Sequence, residues 1–442
     1  MSTTTIRGGT LVTASGMHRG DLLIMDGLIR AVGQPAPQGE VVDASGLLVL
    51  PGMVDTHVHL MDPGDTDRED FPIGTSAAAA RGVTTIVEHT HAHPIRSVDD
   101  LIEKRHHLAG RANVDFGLAA HVWPDRINDI APLAEEGIAF FKIFTCTTHG
   151  VPGLDSSAMT RALEAMSRTG SRCLIHGEDE TITRDAELRL RALGRVDPGL
   201  LIEWRTREAE LVAVGAAAAA VLETGAMATI AHVSTPQVLD VIDDFRRLGA
   251  DLAAEACPQY FALDEAEVEV AGALRKFTPP ARIRSQEERS AMWEAVRARR
   301  FSHFSTDHAP STLDQKRIPD FWAAPFGLPG LDTTLPFLID AALSGHVRIS
   351  DVVRLYATAP AARYRLQKGV LAVGDDADVV LVDPKADWVV SDRDIISKAA
   401  WSPFAGRTFR GRVMATYLRG EKIASDGKCD DRRLGRFIRP VP

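Results

Sequence analysis

Cysteine is scarce: four occur in 442 residues, Cys146, Cys173, Cys257 and Cys429, widely spaced and without a CxxC pair. That usage excludes a disulfide framework and a zinc knuckle, and makes reduced thiols in a cytoplasm the expected state. Cys146 and Cys257 read as small apolar packing residues before they read as nucleophiles. Excess positive charge is also missing. Lys plus Arg number 50 against 60 Asp plus Glu, a net charge of -10, so a phosphate backbone is repelled and no nucleic-acid partner is expected. Long apolar runs are absent too. The Ala216–Ala220 tract, bracketed by Glu210 and Glu223, is too short to span a bilayer, and Met1-Ser-Thr-Thr-Thr lacks the basic and apolar regions of an export signal. Neither insertion nor export is therefore expected. No internal repeat or low-complexity linker divides the chain. What remains, 45% hydrophobic and 25% charged residues, is the profile of a globular protein with a sizeable core and a small-molecule ligand.

From Thr5 to about Leu50, short alternating runs are broken by the turn residues Gly8-Gly9, Asp26-Gly27 and Ala44-Ser45-Gly46, which predicts strands. The stretch from Arg365 onward has the same texture, in 378–383, 388–390 and 412–418. Residues 1–50 and 365–442 are therefore expected to pair into one small discontinuous β-sandwich, with a C-terminal tail. Between them, residues 51–364 alternate apolar runs with amphipathic stretches, the pattern of a parallel sheet with crossover helices. The runs are Met53–His57, Thr84–His89, Asp115–His121, Ala139–Phe144, Arg172–Gly177, Ala228–His232, Asp251–Ala256 and Phe301–Asp307. Helices are expected at Ser97–Leu108, Ser156–Thr169, Arg205–Thr224, Pro236–Leu248 and Gln286–Arg299. Eight such units predict an α/β fold built on a (β/α)8 TIM barrel.

In Val54-Asp55-Thr56-His57-Val58-His59, two imidazoles two residues apart at a strand end face the same side, because strand side chains alternate with period two. Two neutral nitrogens on one side can grip a divalent ion. Alone, an HxH is equally well explained by packed or exposed histidines. Its placement adds weight, because four other strand ends carry a ligand type: Lys142, His176, His232 and Asp307, on the fourth, fifth, sixth and eighth runs. In a barrel those ends converge at one mouth. Lys142, flanked by Phe140, Phe141 and Phe144, is costly there as an unpaired cation. It can lose a proton and react with carbon dioxide to give a carbamate, an anion able to bridge two metal ions. The alternative is a Lys–Asp ion pair across the barrel.

The ordered set His57-Val-His59, Lys142, His176, His232 and Asp307 resembles the amidohydrolase superfamily, in its branch of dihydroorotase, allantoinase and hydantoinase (dihydropyrimidinase). The resemblance extends to Pro51-Gly52, Thr306-Asp-His-Ala-Pro310, Gly327-Leu-Pro-Gly-Leu331 and Ala377-Asp-Val-Val-Leu-Val-Asp383. It implies a metal-dependent hydrolase that opens a cyclic amide ring by hydroxide attack at a binuclear centre. It also implies the ligand sets: His57, His59 and Asp307 on one ion, His176 and His232 on the other, and carboxylated Lys142 between them. Zinc suits these donors, with manganese, cobalt or nickel as substitutes. Asp307 is implied as the catalytic proton carrier, and a homo-oligomer, dimer or tetramer, as the assembly.

Departures from the family's patterns bear on the substrate. Dihydroorotase clamps a carboxylate with an Arg after HxHL and an Asn in the loop after the second strand; here these positions are Met61 and His91. Hydantoinase places a Tyr five residues after the bridging lysine, whereas this chain has Thr147. Thr145, Cys146, His149, Gln259, Tyr260, Pro279, Pro280 and the segment 324–331 are further candidates for the pocket rim. Allantoin, a hydantoin or a related cyclic imide is the expected substrate, with dihydroorotate or a dihydropyrimidine as alternatives. A non-catalytic hydantoinase-like scaffold is disfavoured by the complete ligand set. Glu88-His89-Thr90-His91-Ala92-His93-Pro94 fits none of these patterns: its three alternate histidines are a separate metal site, a pocket wall or a solvated loop.

Overall fold

The computed structural model describes residues 3–89 and 91–441, so Met1, Ser2, Thr90 and Pro442 lie outside the described residues. Eight parallel strands form its centre: Met53–Val58, Val83–Glu88, Asp115–Leu118 continued by Ala120–His121, Phe141–Phe144, Arg172–His176, Met227–Ile230, Asp251–Ala256 and His303–Phe304. Val58 bridges to His308, and the His59 N–H donates to the His308 carbonyl at 2.8 Å, closing the ring. These strands are buried on both faces and are rich in Val, Ile, Leu and Ala, as expected where helices cover a parallel sheet. The architecture is the (β/α)8 barrel.

Two strands depart most from their apolar runs. The third is interrupted at Ala119, whose N–H donates back to the Glu88 carbonyl at 3.0 Å. The eighth pairs only over His303–Phe304, because the Thr306 N–H turns to the Asp55 carboxylate at 3.2 Å instead of continuing the ladder. Side chains thus override the strand pattern at the mouth.

Capping residues set the predicted helices. Asp155 accepts the Ala158 N–H ahead of Ser156–Thr169, Thr206 accepts the Ala209 N–H ahead of Arg207–Thr224, and Thr235 accepts the Val238 N–H ahead of Pro236–Leu248. Gly249 ends the last of these at φ 108°, a conformation that costs glycine no Cβ clash. Helices Phe71–Ala80, Glu180–Ala192 and Thr334–Leu343 were not expected from the sequence. The first and last are buried around most of their surface and so lack the amphipathic period that marks a helix. Among the described residues no helix is long and apolar enough to cross a membrane.

The chain's two ends meet through Leu48–Pro51, which pairs in parallel with Thr3–Thr13 and antiparallel with Val379–Val389. The resulting nine-stranded sheet closes on its own apolar core, built from Ile6, Leu11, Leu22, Ile24, Ile29 and Val49 on one side and Val379, Leu381 and Tyr417 on the other. This is the β-sandwich drawn from both termini.

Candidate metal centre

His57, His59, Lys142, His176, His232 and Asp307, spread over 251 residues of sequence, line one cavity of about 30 Å³ at the C-terminal mouth of the barrel. His57 Nε2 stands 3.0 Å from Asp307 Oδ1 and 3.3 Å from Lys142 Nζ, and His59 Nε2 stands 3.4 Å from Asp307 Oδ1. On the far side His176 Nδ1 faces His232 Nε2 at 2.9 Å. The two groups adjoin, with the His57 and His232 ring centroids 5.6 Å apart. His232 and Asp307 have left-handed backbones, φ 38° and 50°. Each such non-glycine conformation costs about 1–3 kcal/mol and recurs at functional sites, where the surrounding structure holds it.

Partners behind the rings fix their orientation. Glu255 takes His57 Nδ1 at 2.8 Å and the His232 N–H at 2.9 Å, so one carboxylate sets both sides of the cavity. Glu178 takes His176 Nε2 at 2.8 Å and is itself held by Thr278 Oγ1 at 2.6 Å and Arg205 at 3.2 Å. The His89 carbonyl takes His59 Nδ1 at 3.0 Å. In each case one ring nitrogen is engaged outward and the other is left facing the cavity, the arrangement that tunes a metal-ligating imidazole.

Electrostatics favour donors with free lone pairs. Burial pushes His59 down to about 4, and it also pushes His232 far below the usual imidazole range and lowers His176. His57 alone is raised: burial opposes its charge, but Glu255 and Asp307 outweigh it. Burial pushes Asp307 up, yet the His57 charge and hydrogen bonds from His57 and His59 hold it well below the carboxylate range. Burial also brings Lys142 down to about 8, against the upward pull of Glu255 and Asp307. Among the described residues no carboxylate comes within 4.0 Å of Lys142 Nζ, so the ion pair considered from the sequence is not formed.

The donor set suits divalent ions. Imidazoles held mostly neutral, one carboxylate and a lysine brought toward its neutral form are gathered there, and among the described residues the lysine has no carboxylate within 4.0 Å and His232 Nδ1 has no hydrogen-bond partner.

Above the cavity opens a bowl of about 720 Å³ lined by Gly64, Asp65, Arg68, Thr147, Trp204 and Arg205, among others. His91, His149 and Phe326 line both spaces and form the partition between them; the rings of His91 and His149 stack at 4.2 Å. Thr147 lines the bowl but not the cavity, with its N–H donated to Glu180. Met61, Gln259 and Pro279 line neither space: Met61 is fully buried, the Gln259 amide reaches the Thr306 carbonyl at 3.5 Å, and the Pro279 carbonyl takes the Tyr260 hydroxyl at 2.7 Å. Phe277 and Thr278, just before Pro279, reach the cavity instead.

The sequence assigns no role to Glu255 and Arg205 and shows Glu178 only inside its motif, whereas Phe326 belongs to the 324–331 segment expected at the pocket rim and lines both spaces. Glu255 carried a signal: it is the one charged residue near the C-terminal end of the Ala-rich strand Asp251–Ala256, the same placement that marks the other strand-end groups. Arg205 carries none, since a loop brings it in.

Comparison with known proteins adds an independent line. The profile described as "Amidohydrolase family" matches residues 48–423. An allantoinase of Rubrobacter xylanophilus is 34% identical over 98% of this chain and 97% of its own length, and a dihydroorotase of Aquifex aeolicus is 31% identical over 95% and 99%. The solved L-hydantoinase (dihydropyrimidinase) of Arthrobacter aurescens superposes with a TM-score of 0.93 at 27% identity, covering 99% of this chain and 100% of that one.

Proposed function

This chain belongs to the amidohydrolase family, as a cyclic amidohydrolase of the allantoinase and hydantoinase branch, and from that premise we propose that it hydrolyses a C–N bond of a neutral ring: allantoin, a hydantoin or a related cyclic imide. The observation that carries this reading is the convergence of six ligand-type side chains on one cavity whose wall contains no guanidinium. A ring carboxylate would look for one. The two arginines of the outer bowl are engaged elsewhere: Arg68 with the Pro310 and Phe326 carbonyls and Ser311, Arg205 with Glu178 and Cys146. Phe144, Phe277 and Phe326 offer flat apolar walls to a ring instead.

His57, His59 and Asp307 would hold one divalent ion, zinc being the best match to the donors, and His176 and His232 the second, with Lys142 between them. Such ions supply Lewis acidity and lower the pKa of water from about 15.7 to about 7. Burial favours the neutral amine of Lys142, the form that would attack carbon dioxide; its Nζ–C bond would form as one C–O π bond opens and an N–H proton is lost to solvent, leaving a carbamate anion as a ligand. Asp307 receives the proton of the attacking water and returns it to the departing ring nitrogen. Glu255 and Glu178 hold His57 and His176 in register throughout, and the His91, His149 and Phe326 partition limits the access of further water.

Assay of the zinc-supplemented protein against allantoin, substituted hydantoins, dihydropyrimidines, dihydroorotate and succinimide tests the substrate class. Turnover of dihydroorotate above all others would overturn the neutral-ring reading. Asp307→Asn should keep the fold and lose about 10²- to 10⁴-fold in kcat; near wild-type turnover would remove Asp307 from the proton path.

A further inference from the structure

His89 ends the second barrel strand, directly beside the histidine pair of the first, and no role assigned so far uses its ring. The ring is 1% exposed, and neither Nδ1 nor Nε2 has a hydrogen-bond partner. A neutral imidazole carries one donor and one acceptor, so a ring buried with both idle is a poor packing residue. Its surroundings point to a use. The His89 centroid lies 4.7 Å from that of His57 and 4.5 Å from that of His59, and one ring nitrogen from each of the three residues falls within 4.8 Å of the other two, close enough for a single ion to touch all three. The backbone of His89 is already committed to the same task, since its carbonyl fixes His59 through Nδ1 and turns His59 Nε2 inward. On its other side the ring meets Phe140 edge to face at 5.3 Å and the His121 ring at 6.1 Å.

We propose that His89 is a third imidazole ligand of the ion position formed by His57 and His59, so that this chain holds that ion through three histidines. The inference rests on the metal-dependent reading above and deepens it. Three imidazoles favour the borderline ions, zinc, cobalt and nickel, over oxygen-seeking manganese. They also make this the firmer of the two positions and the one least dependent on the Lys142 carbamate.

Cobalt(II) titration of the metal-stripped chain, followed by visible absorption and by retention against dipicolinate, tests it. Wild type should take two ions. His89→Phe keeps a ring against Phe140 and removes both nitrogens; it should release one ion at least about tenfold more readily, with an altered cobalt spectrum and an unchanged circular dichroism spectrum. His121→Phe controls for packing, since His121 is a buried neighbour 6.1 Å from His89 with both nitrogens also unpartnered but outside the three-ring group; it should retain both ions. A His89→Phe chain matching wild type, or a His121→Phe chain as impaired as His89→Phe, overturns the proposal and leaves the proposed function standing. A wild-type chain that takes up no cobalt overturns both. Should His89→Phe fail to fold, ¹⁵N-histidine spectra of the zinc-loaded wild type decide: a ligated His89 nitrogen supports the assignment, and an uncoordinated neutral ring overturns it.

Discussion

Two buried lysines stand at opposite ends of the same barrel, and their surroundings could hardly differ more. Lys368, at the joint between the barrel's N-terminal end and the sandwich, bonds Asp115 at 2.7 Å, Asp376 at 2.7 Å and Asp378 at 2.9 Å. Burial works against its charge, but the three carboxylates outweigh burial and raise it. Those acids lie close enough together to hold a metal ion, and the ammonium group already occupies that place. Lys142, at the catalytic end, meets His57 Nε2 at 3.3 Å and the Phe144 ring at 5.3 Å, has no carboxylate within 4.0 Å among the described residues, and is brought down to about 8 by burial. One end of the barrel is electrostatically complete and the other is unfinished. In a barrel that places reactive groups at the C-terminal ends of its strands, the unfinished end is where an added ligand belongs.

Substitution at the two lysines should therefore fail in opposite ways. Lys142→Ala is expected to lower turnover by about 10³-fold or more and to bring bound metal toward one ion per chain, with little loss of stability; short carboxylic acids should restore part of the activity. Absence of rescue would count against a bridging carbamate. Lys368→Met should leave kcat in the folded fraction near wild type while destabilising the chain by on the order of 3–5 kcal/mol, because Asp376 and Asp378 lose the ammonium they share and Asp115 keeps only Arg419; denaturant melts measure this, and an unshifted midpoint would mean the joint tolerates the unmatched carboxylates. Glu210 lies between these extremes, buried with its carboxylate on the Ser234 N–H at 3.1 Å and on the Ser234 hydroxyl. Burial raises it from 4.5 to about 7, against Arg282 and Ser234. Between those values the folded chain keeps a proton that the unfolded chain has released, so stability falls as pH rises through the window. The loss should be on the order of 1–3 kcal/mol between pH 5 and 8, and Glu210→Gln should abolish it. Equal slopes in the two proteins would show that Glu210 is not the cause.

Much of the barrel was legible because its signals are local. Each of the eight apolar runs overlaps a barrel strand, and the strand-end positions of His57, His176, His232 and Asp307 follow from alternation and length alone. The helix Phe71–Ala80 escaped notice because burial all round erases its period, and the eighth strand's early end depends on Asp55, far away in the chain. Among the pocket candidates, His91 reaches the cavity and Thr147 the bowl, whereas Met61, Gln259 and Pro279 turn away from both spaces. Loop residues carry no periodicity from which a direction can be read.

The amino-acid order by itself determined which side chains emerge at strand ends, since that needs only the period of a strand and the rule that parallel strands share a direction. Tertiary structure decided which of those groups are satisfied. Glu255 reaches His57 across 198 residues and Asp115 reaches Lys368 across 253, while among the described residues no carboxylate comes within 4.0 Å of Lys142 Nζ. Whether a buried charge is matched depends on atoms brought from distant parts of the chain, and it is this matching that separates a structural lysine from a reactive one.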